Sequence, residues 1–145
     1  MFKTVQVFNN VLSSKPLILT LFSIDILKHI INLSIKNIHD ILYYLKFINK
    51  HSHNYIYELE ELDIELKLNC INKWLVKNND DEISKSIMVI CYTLNDNLEM
   101  INIKISKHNK KWFNKWRKLD LRHDINLLRH NTNILKDRLL LLSLR

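Results

Sequence analysis

The chain has 145 residues, a formal net charge of +7, no glycine, one proline and no alanine. That length supports one domain with a single core. The missing glycine excludes P-loop and dinucleotide-binding loops, whose backbone must approach phosphates closely, and it excludes Asn-Gly and Asp-Gly hairpin turns. Ile, Asn and Lys have AT-rich codons, whereas Gly, Ala and Pro have GC-rich ones, so the composition points to an AT-rich genome, with a large DNA virus among the candidate sources.

With few turn formers and strong helical periodicity, the expected fold is all-α. The whole of 1–145 is expected to form one helical domain. Residues 1–15 form a short lead carrying Phe2, Val5, Phe8 and Leu12, and Ser13-Ser14-Lys15-Pro16 breaks it with a proline placed for a helix start. A first helix is predicted over about 17–50, where Ile24, Leu27, Ile31, Ser34, Ile38, Ile41, Leu45 and Ile48 recur at alternating spacings of 3 and 4. His51-Ser52-His53-Asn54 ends it.

A second helix is predicted over about 55–78 with two stripes. Leu59, Leu62, Leu66, Cys70 and Trp74 form one; Ile64, Leu68, Ile71 and Leu75 form the other. Asn78-Asn79-Asp80-Asp81 is a turn, and Asp80 or Asp81 suits the N-cap of the next helix.

The third helix, about 82–117, is about 54 Å long. Its heptad stripe is Ile87, Cys91, Leu94, Leu98, Ile101, Ile105, His108 and Trp112. Asp120 is expected to cap a fourth helix, about 120–144, with the stripe Leu121, Ile125, Leu128, Thr132, Leu135, Leu139 and Leu142. Short connections imply an antiparallel up-down four-helix bundle of long coiled-coil-like helices. Folding the second helix onto the third pairs Leu59 with Ile101, Leu62 with Leu98, Leu66 with Leu94, Cys70 with Cys91 and Trp74 with Ile87. In this register the second helix stops near residue 105 of its partner, and 106–117 overhangs.

The overhang carries a basic aromatic knot, His108-Asn109-Lys110-Lys111-Trp112-Phe113-Asn114-Lys115-Trp116-Arg117-Lys118. Its rings either plug the bundle end, with Lys stems lying over them, or form a contact surface. As a protein interface, the contact falls on Trp112, Phe113 and Trp116, with Lys111, Lys115 and Arg117 at the rim. As an anion-binding surface at 104–130, Lys107, Lys110, Lys111, Lys118, Arg122 and Arg129 would meet phosphates while rings stack on bases or enter an anionic membrane surface. The charge is uneven: residues 1–50 carry +4, residues 51–100 carry −6 and residues 101–145 carry +9. Such asymmetry suits faces that partner each other or an outside partner for the basic end.

Other candidate chemistry is weaker. His51, His53, His108, His123 and His130 fall at one end of the expected bundle, but no Cys or carboxylate joins them, so they are expected to be solvent-exposed and no metal site is assigned. Cys70 and Cys91 are expected to be small buried thiols; a disulfide between them would require export. Glu58, Glu60, Glu61, Asp63 and Glu65 diverge along a helix surface and are expected to ion-pair with Lys136 and Arg138. No nucleophile motif or cofactor motif is present.

No segment reads as a membrane span, because the apolar run Leu17–Ile24 stops at Asp25. No signal-peptide pattern lines up in residues 1–30, and two cysteines suit a reducing compartment. The expectation is therefore an intracellular, non-enzymatic helical bundle without cofactor. It would act by protein–protein interaction or assembly, as a subunit of a larger complex or a homo-oligomer. Nucleic-acid or anionic-surface binding is the first alternative. A virus-coded helical protein that sequesters a host regulator is the second.

Overall fold

The computed structural model describes residues 16–47, 53–75, 82–110 and 118–144. These form five helices: α1 (Pro16–Phe47), α2 (His53–Glu61), α3 (Ile64–Leu75), α4 (Glu82–Lys110) and α5 (Arg122–Ser143). No strand occurs among the described residues. The lead 1–15, the turn at 78–81 and the segment 111–117 lie outside them.

Four of the five expected stripes form the core, those of the first, third and fourth helices and Ile64, Leu68, Ile71 and Leu75 of the second. In α1, Ile24, Leu27, Ile31, Ser34, Ile38, Ile41 and Leu45 are all buried, and Ile48 lies outside the described residues. In α4, Ile87, Cys91, Leu94, Leu98, Ile101, Ile105 and His108 are buried. In α5, Leu121, Ile125, Leu128, Thr132 and Leu135 are buried, while Leu139 and Leu142 pack half-buried against the core. A 3.5-residue repeat keeps one side of each helix on its neighbours, and burying that side is the main source of helix stability in a bundle.

The second helix departs from expectation: it is two helices, α2 and α3, broken at Leu62-Asp63. Asp63 has φ 48°, the left-handed region, which Asp tolerates better than most residues with a Cβ. Before it the chain tightens, with Leu62 N–H donating to the Leu59 carbonyl and Asp63 N–H to the Glu60 carbonyl, both at 3.2 Å. After it the Asp63 carbonyl accepts the Lys67 N–H at 3.1 Å and starts α3. The Lys67 ammonium turns back to donate to the Leu62 carbonyl. Glu65 places an acid in the first turn of α3, where the helix dipole favours it.

The break switches stripes. Leu59 and Leu62 are buried; beyond Asp63 the buried residues are Ile64, Leu68, Ile71 and Leu75. Leu66 is 63% exposed, Cys70 is exposed and Trp74 is half-buried. The expected facing of Leu66 with Leu94 and of Cys70 with Cys91 is therefore corrected.

The helix order in space differs from a simple hairpin succession as well. α1 packs most extensively on α4, and α4 on α5; α2 and α3 pack on α1 and α5. α2 and α3 make no substantial contact with α4, so the expected second-with-third pairing is replaced by a diagonal relation. Around the bundle the order is α1, α2–α3, α5, α4.

A polar ladder, buried at Ser34 and Asn95 and half-buried at Asn37 and Asn102, joins α1 to α4. The Ser34 hydroxyl sits 2.8 Å from the Ile30 carbonyl and 3.1 Å from Asn95 Oδ1. Asn37 Nδ2 donates to the same Asn95 oxygen at 3.0 Å, and Asn102 Nδ2 donates to Asn37 Oδ1 at 3.3 Å. Asn95 Nδ2 donates to Glu99 Oε1 at 3.1 Å. Ser34 meeting Asn95 while Asn37 reaches Asn102 makes the two helices run in the same sense.

The start of α5 is fixed by three contacts. The Tyr55 hydroxyl, on α2, accepts the Leu121 N–H at 3.2 Å. Lys104 Nζ, on α4, lies 2.7 Å from Asp124 Oδ2. Asp120 is not the cap residue: Leu121 holds that position without a side-chain cap, and Asp120 Oδ1 instead accepts the Arg122 N–H at 3.2 Å.

The left-handed residue yields a direct expectation. Asp63→Gly keeps or raises stability, because glycine adopts positive φ without a steric penalty. Asp63→Val, β-branched, lowers it by about 1–2 kcal/mol. Urea denaturation of the two variants checks the order; equal stability for Gly and Val would contradict it.

Candidate interaction surfaces

The basic end is assembled from the C-terminal turns of α4 and the entry to α5. Lys104, Lys107, His108, Lys118, Leu119 and Asp120 line a cavity of about 230 Å³. Lys107, Lys110, Lys118 and Arg122 are exposed, so five of the six residues expected to meet anions are described, with Arg129 half-buried one turn into α5. Lys111 lies outside the described residues, as do Trp112, Phe113, Lys115, Trp116 and Arg117.

Two of these cations are already engaged. Arg122 grips Asp120 with Nε on Oδ1 at 3.1 Å and Nη2 on Oδ2 at 3.0 Å. Those bonds hold the Asp120 carboxyl down at about 2 and raise the Arg122 guanidinium. Arg129 Nη1 donates to Asn126 Oδ1 at 2.8 Å, within its own helix. Basic residues in the last turn of α4 also complement the negative end of that helix. The charge left over is concentrated on Lys107, Lys110 and Lys118.

The last turns of α1 carry an aromatic ridge. Tyr43 and Phe47 are 60% and 74% exposed, and Tyr44 is exposed as well. Their rings pack on one another, Tyr43 to Phe47 at 5.0 Å between centroids and Tyr43 to Tyr44 at 5.7 Å, edge to face. The contact of Tyr55 with Leu121 places the end of α1 at the same end of the bundle as the lysines. This ridge was legible in principle: all three aromatics fall off the stripe Ile41, Leu45, Ile48, so the same period that buries the stripe exposes them.

A second concavity sits at the Asp63 break, about 470 Å³ in volume. Ile38 and Leu42 of α1, Leu59 of α2, and Ile64 and Leu66 of α3 give it apolar walls. Glu60, Asp63 and Glu65 supply an acidic rim.

The remaining candidates settle as follows. Glu65 of the acidic run pairs with His39, Oε2 to Nε2 at 2.7 Å, where Lys136 and Arg138 were expected. Glu61, hydrogen-bonded to the exposed Tyr57, raises that phenol. His123 and His130 are exposed, but His108 is only 6% exposed and its Nε2 has no hydrogen-bond partner, which corrects the expectation of a solvated ring. His51 and the side chain of His53 lie outside the description. Among the described residues no group of three His, Cys, Asp or Glu could hold a metal ion. Cys91 is fully buried and its thiol is pushed up to about 12, whereas Cys70 is exposed; both are free thiols. No helix among the described residues is long and apolar enough to cross a membrane.

On α4, Asp96 is half-buried with Oδ1 lacking a partner, and burial, reinforced by Glu99, pushes its carboxyl up to about 6. The neighbouring Tyr92 phenol goes up to about 12 by burial and by the Asp96 charge.

Compared with known protein families, curated proteins and solved structures, the chain matches none.

The Asp96 carboxyl gives the fold a pH dependence. Its folded value, about 6, lies above the free value of 3.8, so folding favours the protonated form. Its contribution is fully present below about pH 4 and is lost as pH rises through 6. Asp96→Asn therefore gains stability over the native chain between pH 4 and 7 and not below. Urea midpoints across that range measure it; a constant difference would contradict it.

Proposed function

We propose that the chain is a non-enzymatic helical-bundle protein that acts by protein–protein interaction or assembly, with its contact surface at the basic aromatic end. The observation that carries this reading is the ridge of Tyr43, Tyr44 and Phe47 standing exposed at the same end of the bundle as the lysines of α4. Large aromatic side chains left in water at one place are costly unless a partner covers them, and aromatic anchors beside cations are the usual composition of an interface centre and its rim. The sequence adds Trp112, Phe113 and Trp116, with Lys111, Lys115 and Arg117, to the same end.

Charge at that end supports a second reading, binding of nucleic acid or an anionic surface. Lys107 and Lys118 line one cavity beside Lys104, which Asp124 already holds, and Lys110 is exposed close by in the chain. Arg122 and Arg129 contribute less, since both are held by neighbours.

Two measurements separate the readings. Trp116→Ala and the double variant Tyr43→Ala/Phe47→Ala are expected to keep the helical circular dichroism of the native chain while losing mass in light scattering at high concentration or losing a purified partner. Unfolding of Trp116→Ala would instead make that ring part of the core. For the second reading, a random single-stranded oligonucleotide is expected to bind with a log–log salt slope of about −2, roughly 0.7 for each of Lys107, Lys110 and Lys118. No binding at about 50 mM salt removes it.

A further inference from the structure

We propose that the groove at the Asp63 break receives the basic aromatic segment 110–118 of a second copy of this chain, so that copies join head to tail. The proposal rests on the reading of the basic end as a contact surface and names what it contacts.

The groove is a product of the stripe switch. Because α3 turns a different side inward from α2, Leu66 is turned out of the core and stands at the groove edge, 63% exposed. Ile38, Leu42 and Ile64 continue the apolar wall, and the volume of about 470 Å³ admits a large aromatic side chain. Around it stand Glu60, Asp63 and Glu65. Among the described residues little neutralises them: the Lys67 ammonium is turned onto the Leu62 carbonyl, and His39 reaches Glu65.

An occupant that satisfies both features has bulky apolar side chains closely flanked by cations. Charge complementarity favours the most basic stretch of the chain. Residues 51–100, which build the groove rim, carry −6, and residues 101–145 carry +9. Within the second stretch, Trp112, Phe113 and Trp116 alternate with Lys110, Lys111, Lys115, Arg117 and Lys118. Burying the rings against the wall removes apolar surface from water, and opposite charges at the rim fix orientation and speed encounter.

The segment that fills a groove comes from another copy. Its two ends lie on α4 and at the entry to α5, which pack on each other, while the groove opens at the opposite edge of the bundle, between α1 and α2–α3. Groove and segment are different surfaces, so the contact is heterologous: each copy offers one of each, and association propagates into an open chain or closes into a ring.

Complementation between two full-chain variants tests this. Glu60→Gln/Leu66→Ser weakens the groove and leaves the segment intact. Lys111→Gln/Lys115→Gln weakens the segment and leaves the groove intact. All four positions but the last two are exposed surface in the structure, and circular dichroism verifies that each variant folds. In sedimentation velocity at low salt the native chain is expected to grow in mass with concentration beyond a dimer, and growth weakens as salt rises. Each variant alone loses at least tenfold in association constant. Mixed, they form a one-to-one complex that grows no further, because one intact groove and one intact segment remain. A synthetic peptide of residues 107–118 binds the native chain and binds the groove variant at least tenfold more weakly. A native chain that stays monomeric and does not bind the peptide overturns the proposal, and so does a groove variant that associates like the native chain. If in that case Trp116→Ala still folds, the basic end remains available to a different protein; if it unfolds, the reading of that end falls too.

Discussion

The ladder of amides and a hydroxyl between α1 and α4 is the constraint on which the arrangement of the other helices depends. Apolar stripes attract one another without direction, so they fix neither the partner nor the register. Ser34, Asn37, Asn95 and Asn102 do both: Ser34 and Asn95 are buried, where a polar group left without its partner costs about 1–3 kcal/mol, and the half-buried Asn37 and Asn102 extend the same register. Sliding α1 by one turn, or exchanging α4 for another helix, would strand several of them at once. Once α1 lies beside α4 in the same sense, α2–α3 and α5 are left to fill the other two positions. The Tyr55 and Lys104 contacts then hold the start of α5. A buried asparagine that specifies register at some expense of stability is well attested in coiled coils.

This ladder also explains what the sequence told and what it concealed. The stripes of α1, α4 and α5 could be read residue by residue, since each helix is unbroken through its stripe and shows the core one continuous side. The partner of each helix could not. Pairing Leu59 with Ile101 and Leu62 with Leu98 matched apolar with apolar, but in a four-stripe bundle every alternative pairing does the same. Agreement of that kind discriminates nothing. The discriminating signal lay in the polar residues at or beside the seams, Ser34 within one stripe and Asn95 next to Leu94, which pair with each other and with nothing apolar.

The second helix concealed more, through a single backbone angle. Its two stripes were both visible, and a helix covered on two sides was a consistent account of them. The chain uses them in succession, with Asp63 in the left-handed region as the point of exchange. A glycine at such a point announces itself; in a chain without glycine an aspartate takes the role, and aspartates occur at turns, caps and solvated surfaces alike. The groove, the exposure of Leu66 and the separation of Cys70 from Cys91 all follow from that exchange. Of the candidate site, the basic residues were legible as a charge block, whereas the pairing of Arg122 with Asp120, Lys104 with Asp124 and Arg129 with Asn126 depends on a turn that composition does not specify.

The same left-handed residue divides the bundle dynamically. α2 has 9 residues and α3 has 12, each near or below the length at which a helix holds itself in water, and no hydrogen-bonded helical register runs continuously from one into the other. α1, α4 and α5, with 32, 29 and 22 residues, are each long cooperative rods. Native-state amide exchange is therefore expected to be graded by element, with the two short helices as the least protected layer against a frame of three long ones. The groove lies along that layer, which leaves its walls able to adjust to an occupant while the ladder between α1 and α4 stays shut.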